Sequence, residues 1–237
     1  MSPLSRPPRL RLITVDLDET VWPCLPVIRA AEEAVQEWLH AQAPALAAAR
    51  DQAGLRAHRI ELARRRPEIA HDITALRRAS MAELLAVHGE DTALADAAVA
   101  VFLEARNRVE PFPEVLEVLE RWRRRYRLVS VTNGNADVGA TPLRGLFDHS
   151  LDAASVGAMR PDPALFHAAL ALAGALPDEA LHAGDDPRLD VAAAKGVGMW
   201  TAWVNRAGSP FPIELPRPDV AVQDLRALDH WLEEIDG

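Results

Sequence analysis

The sequence predicts an α/β protein, a Rossmann-like doubly wound parallel sheet with an all-helical segment inserted after its first strand. Three observations carry that expectation. The aliphatic residues Leu12, Ile13 and Val15 stop abruptly at the acidic Asp16, as in a buried strand that delivers a carboxylate. From residue 111 onward, aliphatic runs of strand length alternate with stretches of helical periodicity. Between these regions, residues 52–108 are dominated by Ala, Leu, Arg and Glu and contain almost no strand-like sequence.

Taken in order, residues 1–9 carry prolines and arginines but no apolar run, so they predict a loose extension and not a signal peptide. The first strand spans residues 10–15. Pro23 and Pro26 form a hinge, after which residues 27–43 show aliphatic side chains at helical spacing among Glu32, Glu33 and Glu37. Helical character continues to residue 108, broken at Pro67 and at His88-Gly89. A helix at 114–125 then leads to a strand at 128–131 that ends in Thr132-Asn133-Gly134. Helix 163–173, strand 181–183, helix 189–195, strands 199–204 and 220–222 and helix 225–235 complete the pattern. The division expected is an extension at 1–9, a Rossmann-like core at 10–25 and 111–237, and a helical insertion at 26–110.

Composition excludes several classes. With 49% hydrophobic and 26% charged residues the 237-residue chain is that of an ordinary globular protein. A net charge of -9 opposes the basic surface that nucleic-acid binding needs. The apolar stretch at 97–103 is too short to cross a bilayer, which takes roughly 20 residues. Cys24 is the sole cysteine, so no internal disulfide forms, which suits a reducing, cytoplasmic setting. The eight histidines show no close metal-ligand spacing, so zinc is unsupported, and neither a Gly-x-Ser-x-Gly elbow nor a Walker loop occurs.

Parallel sheets of this kind hold ligands outside the carboxyl ends of their strands. Asp16-Leu17-Asp18, Thr132-Asn133-Gly134 and Gly184-Asp185-Asp186 all fall at such ends and are expected to converge. Carboxylates two residues apart suit nucleophilic catalysis at phosphorus, with Asp16 attacking and Asp18 serving as acid and then base. Each cluster also has a plainer reading: an acidic strand end caps a helix or meets solvent, and Thr-Asn-Gly alone is a turn signal.

With Asp16, Asp18 and Thr20 matching Asp-x-Asp-x-Thr after a strand, the chain resembles the haloacid dehalogenase-like hydrolases over residues 10–205. The resemblance implies a Mg2+-dependent phosphatase working through an aspartyl phosphate. It implies that Thr132, with Asn133 and Gly134, holds the phosphoryl oxygens. It assigns Mg2+ to Asp16, the Asp18 carbonyl and Asp185, with Asp186 and Asp190 as secondary or orienting carboxylates that equally suit N-capping of the following helix. The pattern departs at Met159-Arg160-Pro161-Asp162-Pro163, where Arg160 stands in place of the usual lysine and keeps its charge on a planar fork. The insertion at 26–110 matches the position of a helical cap that closes over such sites.

A narrower likeness, to bacterial flavin mononucleotide phosphatases that also act on 5-amino-6-(5-phospho-D-ribitylamino)uracil, rests on residues 67–73 and 132–136 and makes His71 a candidate substrate contact. The partner implied is a small phosphorylated metabolite, with no nucleic acid, no membrane and an open oligomeric state. A phosphoryl mutase, a sugar phosphatase and a noncatalytic phosphate-sensing protein of the same fold remain alternatives. A haloacid dehalogenase proper lacks the second aspartate.

Overall fold

The computed structural model describes residues 9–236, and the expected N-terminal extension lies outside this range except for Arg9. The chain forms two compact units. One comprises the residues up to Pro23, Glu110–Gly134 and those from Pro142 onward; the other comprises Cys24–Val109 and Asn135–Thr141.

The second unit is helical throughout its regular structure: α1 (Cys24–Gln42), α2 (Pro44–Ala49), α3 (Gln52–Arg65), α4 (Ile73–Val87) and α5 (Leu94–Arg106). Its helices begin where the sequence supplies caps. Asp51 accepts the Gly54 N–H at the start of α3, and Asp72 accepts the N–H groups of Thr74 and Ala75 at the start of α4. Ala31, Val35 and Leu39 recur at four-residue spacing along α1 and share one buried core with Leu84 and Leu85 of α4 and Phe102 of α5. The short segment after Gly134 joins this unit by side-chain hydrogen bonds: Asn135 Nδ2 donates to Thr74 Oγ1 at 3.0 Å, and Asn107 Oδ1 accepts the Asp137 N–H at 2.9 Å.

The first unit is a six-stranded sheet, β1 (Leu12–Val15), β2 (Arg127–Thr132), β3 (His149–Asp152), β4 (Ala180–Gly184), β5 (Trp200–Val204) and β6 (Val220–Val222). All strand pairs are parallel, in the order β3-β2-β1-β4-β5-β6. Helices α6 (Val115–Trp122), α7 (Ala153–Val156), α8 (Ala164–Ala173), α9 (Ala193–Val197) and α10 (Leu225–Asp236) complete it. Every residue of β1 and β4 is buried, which is why these strands are mostly apolar, interrupted by Thr14 in β1 and His182 in β4. Leu12, Val129, Val131, Leu165, Phe166 and Ala169 form one continuous core.

Strand order reverses between β1 and β4, and such a switch point opens a crevice at the carboxyl ends of the strands. Asp16 and Asp185 follow β1 and β4 there.

Two elements differ from the sequence reading. β3 was not expected, because His149-Ser150-Leu151-Asp152 is an edge strand without buried residues and so needs no apolar run. The helix expected at 189–195 is instead a π-helical turn, Pro187–Ala192, followed by α9. Among the described residues no helix is long and apolar enough to cross a membrane.

Candidate active site

Asp16 leaves β1 with its N–H still bonded to the Ala183 carbonyl of β4 at 2.9 Å, so the sheet ladder itself places the residue. The residue is 4% exposed. Oδ1 accepts from Arg160 Nη2 at 2.5 Å, while the Thr20 hydroxyl lies 3.3 Å from Oδ2 and 3.4 Å from Asp185 Oδ1. The Thr20 proton therefore serves either carboxylate.

The chain then turns tightly. Glu19 takes a positive φ of 60°, a conformation L-residues adopt at a cost, and its N–H donates to the Trp22 carbonyl. Asp18 Oδ1 accepts the Trp22 indole N–H at 2.7 Å, which fixes the second carboxylate. Arg206 clasps the far side of this turn, donating to the Thr20 carbonyl at 3.1 and 2.8 Å, pairing with buried Glu114 and lying 3.8 Å over the Phe112 ring.

Thr132 ends β2, 4% exposed, and its Oγ1 accepts the Gly134 N–H at 2.9 Å. The Asn133 amide is committed at both ends to the Arg160 backbone, accepting its N–H at 2.8 Å and donating to its carbonyl at 3.0 Å. Asn133 thus holds Arg160, and the Gly134 N–H is engaged by Thr132; neither was foreseen in the expectation that both bind substrate. Just beyond Arg160, Asp162 accepts the Ala164 N–H where α8 begins.

Arg160 is itself 5% exposed. Its planar fork spans two carboxylates, Asp16 through Nη2 and Asp190 through Nη1. Its Nε is buried without a hydrogen-bond partner among the described residues.

Asp190 is 1% exposed and accepts on both oxygens: Oδ1 faces Arg160 Nη1 and His182 Nε2, and Oδ2 takes the Asp186 N–H at 2.8 Å. Gly184 makes room for it, since a Cβ on that residue would overlap the Asp190 carboxyl and lie 2.7 Å from its Cβ. Gly184→Ala is therefore expected to displace Asp190 and to lower both catalytic turnover and thermal stability; a variant with unchanged melting and turnover would contradict this packing.

Asp16, Asp185 and Asp190 each bring a carboxylate oxygen within 4.8 Å of the others. Asp186, expected among the metal ligands, is not in this group. Its Oδ1 accepts the N–H groups of Arg188 and Leu189 at 2.7 and 2.8 Å, the N-capping role that its position before a helix also suggests. His71 lies in the helical unit, directly before the α4 cap Asp72.

The electrostatics follow from burial and crowding. Burial raises the Asp16 carboxyl well above its ordinary range, and Asp190 and Asp185 reinforce this against the opposing Arg160. Asp185 is pushed up to about 7 by burial and then by Asp190, Asp186 and Glu19. Asp190 moves the other way: burial opposes ionisation, but Arg160 and His182 together outweigh it. For Arg160, burial is likewise outweighed by Asp190 and Asp16, so the guanidinium stays charged. The fixed ion pair is Asp190–Arg160, while Asp16 and Asp185 hold charge only with further compensation. Hard oxygen donors that resist ionisation until a cation arrives suit a divalent metal ion. Asp190, saturated on both oxygens, has the least remaining capacity.

Three further side chains bear on the site. Trp203 donates its indole N–H to the Asp185 carbonyl at 2.7 Å, Arg206 clasps the turn after Asp16, and His182 meets Asp190. His182 carried a signal in the sequence, a polar residue between Leu181 and Ala183 in an otherwise apolar strand.

Carboxylates gather around a buried guanidinium at the switch point of a doubly wound sheet, where such folds place their ligands and their chemistry. The chain belongs to the haloacid dehalogenase-like hydrolases, whose family model matches residues 10–198. It is 30% identical over 200 residues to the 5-amino-6-(5-phospho-D-ribitylamino)uracil phosphatase YigB of Escherichia coli, covering 83% of this chain and 84% of that one. A phosphoserine phosphatase of Thermus thermophilus is 37% identical over 131 residues, 53% of this chain and 52% of its own length. Among solved structures, a 2-haloacid dehalogenase from Pseudomonas syringae superposes with a TM-score of 0.90 at 37% identity, covering 95% of this chain and 99% of that one.

Proposed function

We propose that the protein is a Mg2+-dependent phosphatase that hydrolyses a small phosphomonoester through an aspartyl phosphate on Asp16. The observation that carries this reading is the second carboxylate, Asp18, set two residues after a buried nucleophile candidate and tied by Trp22. Hydrolysis of a phosphate ester releases an alkoxide and needs a proton donor, whereas halide release needs none. That chemistry favours phosphatase over dehalogenase despite the likeness to a structure of the latter name.

In this reading Asp16 attacks phosphorus, and Arg160 balances charge on Asp16 and offers its unpartnered Nε–H to a phosphoryl oxygen. Thr132 contributes its hydroxyl at the end of β2. Asp18 protonates the departing alkoxide and then takes a proton from the water that opens the aspartyl phosphate. Asp16, the Asp18 carbonyl and Asp185 would hold Mg2+, which supplies neutralising charge to the transferring phosphoryl group. The helical unit acts as a cap carrying specificity, with His71 a substrate contact, and the substrate class is flavin mononucleotide or its ribitylaminouracil precursor. The identity to the E. coli ribitylaminouracil phosphatase supports that last step.

The test compares specificity constants for flavin mononucleotide, the ribitylaminouracil phosphate, phosphoserine and sugar phosphates, with and without Mg2+, alongside chloride release from 2-chloropropionate. Preference for the two flavin-related substrates is expected. Preference for sugar phosphates removes the flavin assignment, and chloride release without phosphate release refutes the phosphatase.

Metal binding carries its own pH signature. Asp16 and Asp185 have raised values in the folded protein, so the stability they contribute is complete below the unfolded-chain value and is lost as pH climbs, through about 7 for Asp185. Without divalent ion, Tm is expected to fall between roughly pH 5 and 8, and the increment in Tm from saturating Mg2+ to grow over the same interval. A Mg2+ increment independent of pH would count against these ligands.

A further inference from the structure

His182 occupies a position where a parallel sheet ordinarily wants an aliphatic residue. It sits in the middle of β4, pairs in register with Thr14 of β1 and is 1% exposed. A polar group there costs free energy unless it is fully hydrogen-bonded. Both ring nitrogens are engaged: Nδ1 lies 2.8 Å from Thr14 Oγ1, and Nε2 lies 3.0 Å from Asp190 Oδ1. The ring is also held edge-on by Phe166, with centroids 4.8 Å apart and planes at 76°.

The direction of these bonds follows from the partners. An ionised carboxylate only accepts, so Nε2 has to carry the proton that meets Asp190. In a neutral ring Nδ1 is then bare, and the Thr14 hydroxyl donates to it. Asp190 Oδ1 also receives Arg160 Nη1, and Arg160 Nη2 reaches Asp16. A chain of hydrogen bonds thus runs from Thr14 through His182, Asp190 and Arg160 to Asp16.

We propose that His182 is a positioning residue, whose Nε2–H orients the Asp190 carboxylate so that Arg160 is aimed at Asp16. It touches neither substrate nor reacting atoms. The backbone N–H of Asp186 fixes one oxygen of Asp190, and His182 fixes the other, so the carboxylate has a single orientation in which its free lone pair faces the guanidinium. Groups that orient a charged residue from behind are worth about 10- to 100-fold in activity in comparable metal sites.

The kinetic arm of the test rests on the phosphatase reading, and a spectroscopic arm stands apart from it. His182→Met keeps much of the volume but removes both hydrogen bonds; it is expected to lower kcat about 10- to 100-fold with KM little changed. His182→Gln, whose amide can donate to Asp190 and accept from Thr14, is expected to recover most of that loss. A merely structural role predicts instead that activity tracks thermal stability in both variants. Independently of turnover, long-range 1H–15N correlation on the wild-type protein is expected to show His182 protonated at Nε2, and the Arg160 guanidinium signals to shift in His182→Met but not in His182→Gln.

If the wild-type protein releases no phosphate from any ester, the phosphatase reading falls while the spectroscopic arm still decides the role of His182. A bare Nε2 overturns the proposal, whether or not the methionine variant folds. So does a His182→Met protein with wild-type kcat and unmoved Arg160 signals.

Discussion

Asp16→Asn is expected to reduce phosphate release by at least about a thousandfold while leaving the protein folded. The asparagine has the same shape, and its carbonyl oxygen can still accept from Arg160, but it cannot form a stable bond to phosphorus and break it again. Stability should hold or rise, because Asp16 is 4% exposed and burial works against its charge. The check is steady-state turnover together with thermal melting, and acid-quenched labelling should find no phosphoenzyme in the variant. Full activity in Asp16→Asn would remove the nucleophile assignment, and with it the mechanism proposed above.

Asp190→Ala is expected to have the largest effect on stability. It deletes the carboxylate that neutralises buried Arg160, and it leaves His182 Nε2 and the Asp186 N–H without their acceptor. Breaking a buried ion pair from one side costs about 3–5 kcal/mol, since the partner charge stays buried. Urea unfolding should show that loss as a lower midpoint with an unchanged slope. Asp190→Asn, which keeps the shape and one acceptor, should lose less. A change under about 1 kcal/mol in the alanine variant would mean that Arg160 finds another partner or reaches water. The contrast with Asp16 is informative: both aspartates touch the same arginine, yet one should be dispensable for the fold and the other should not.

Much of the fold was legible in the linear pattern. β1 and β4 are buried on both faces, so they are mostly apolar and end where the acidic clusters begin. The helices of the insertion were readable because residues 27–43 carry aliphatic side chains at helical spacing and residues 52–108 are dominated by Ala, Leu, Arg and Glu. β3 was not legible, since an edge strand packs no face tightly enough to require a hydrophobic signature. Within the site, Asp16 and Asp18 were named from their place after a buried strand, and Thr132, Arg160 and Asp185 from the family resemblance. The sequence left Asp186 and Asp190 open between ligation and N-capping and did not show that Asn133 holds the Arg160 backbone, because what distinguishes a substrate contact, a helix cap and a salt-bridge partner is where each side chain's hydrogen bonds end.

The sequence by itself determined which chemistry-bearing groups sit at strand ends, because strand length and burial are encoded locally in runs of a few residues. It determined that the chain alternates strand and helix, and hence that those ends share one edge of a sheet. Only the tertiary structure decided that Arg160 bridges Asp16 and Asp190, that Gly184 yields its side-chain space to Asp190, and that His182 stands behind them both. Those relations join residues up to 144 positions apart. They arise from strand order and register, which depend on how the sheet packs as a whole and leave no periodic trace in any one segment.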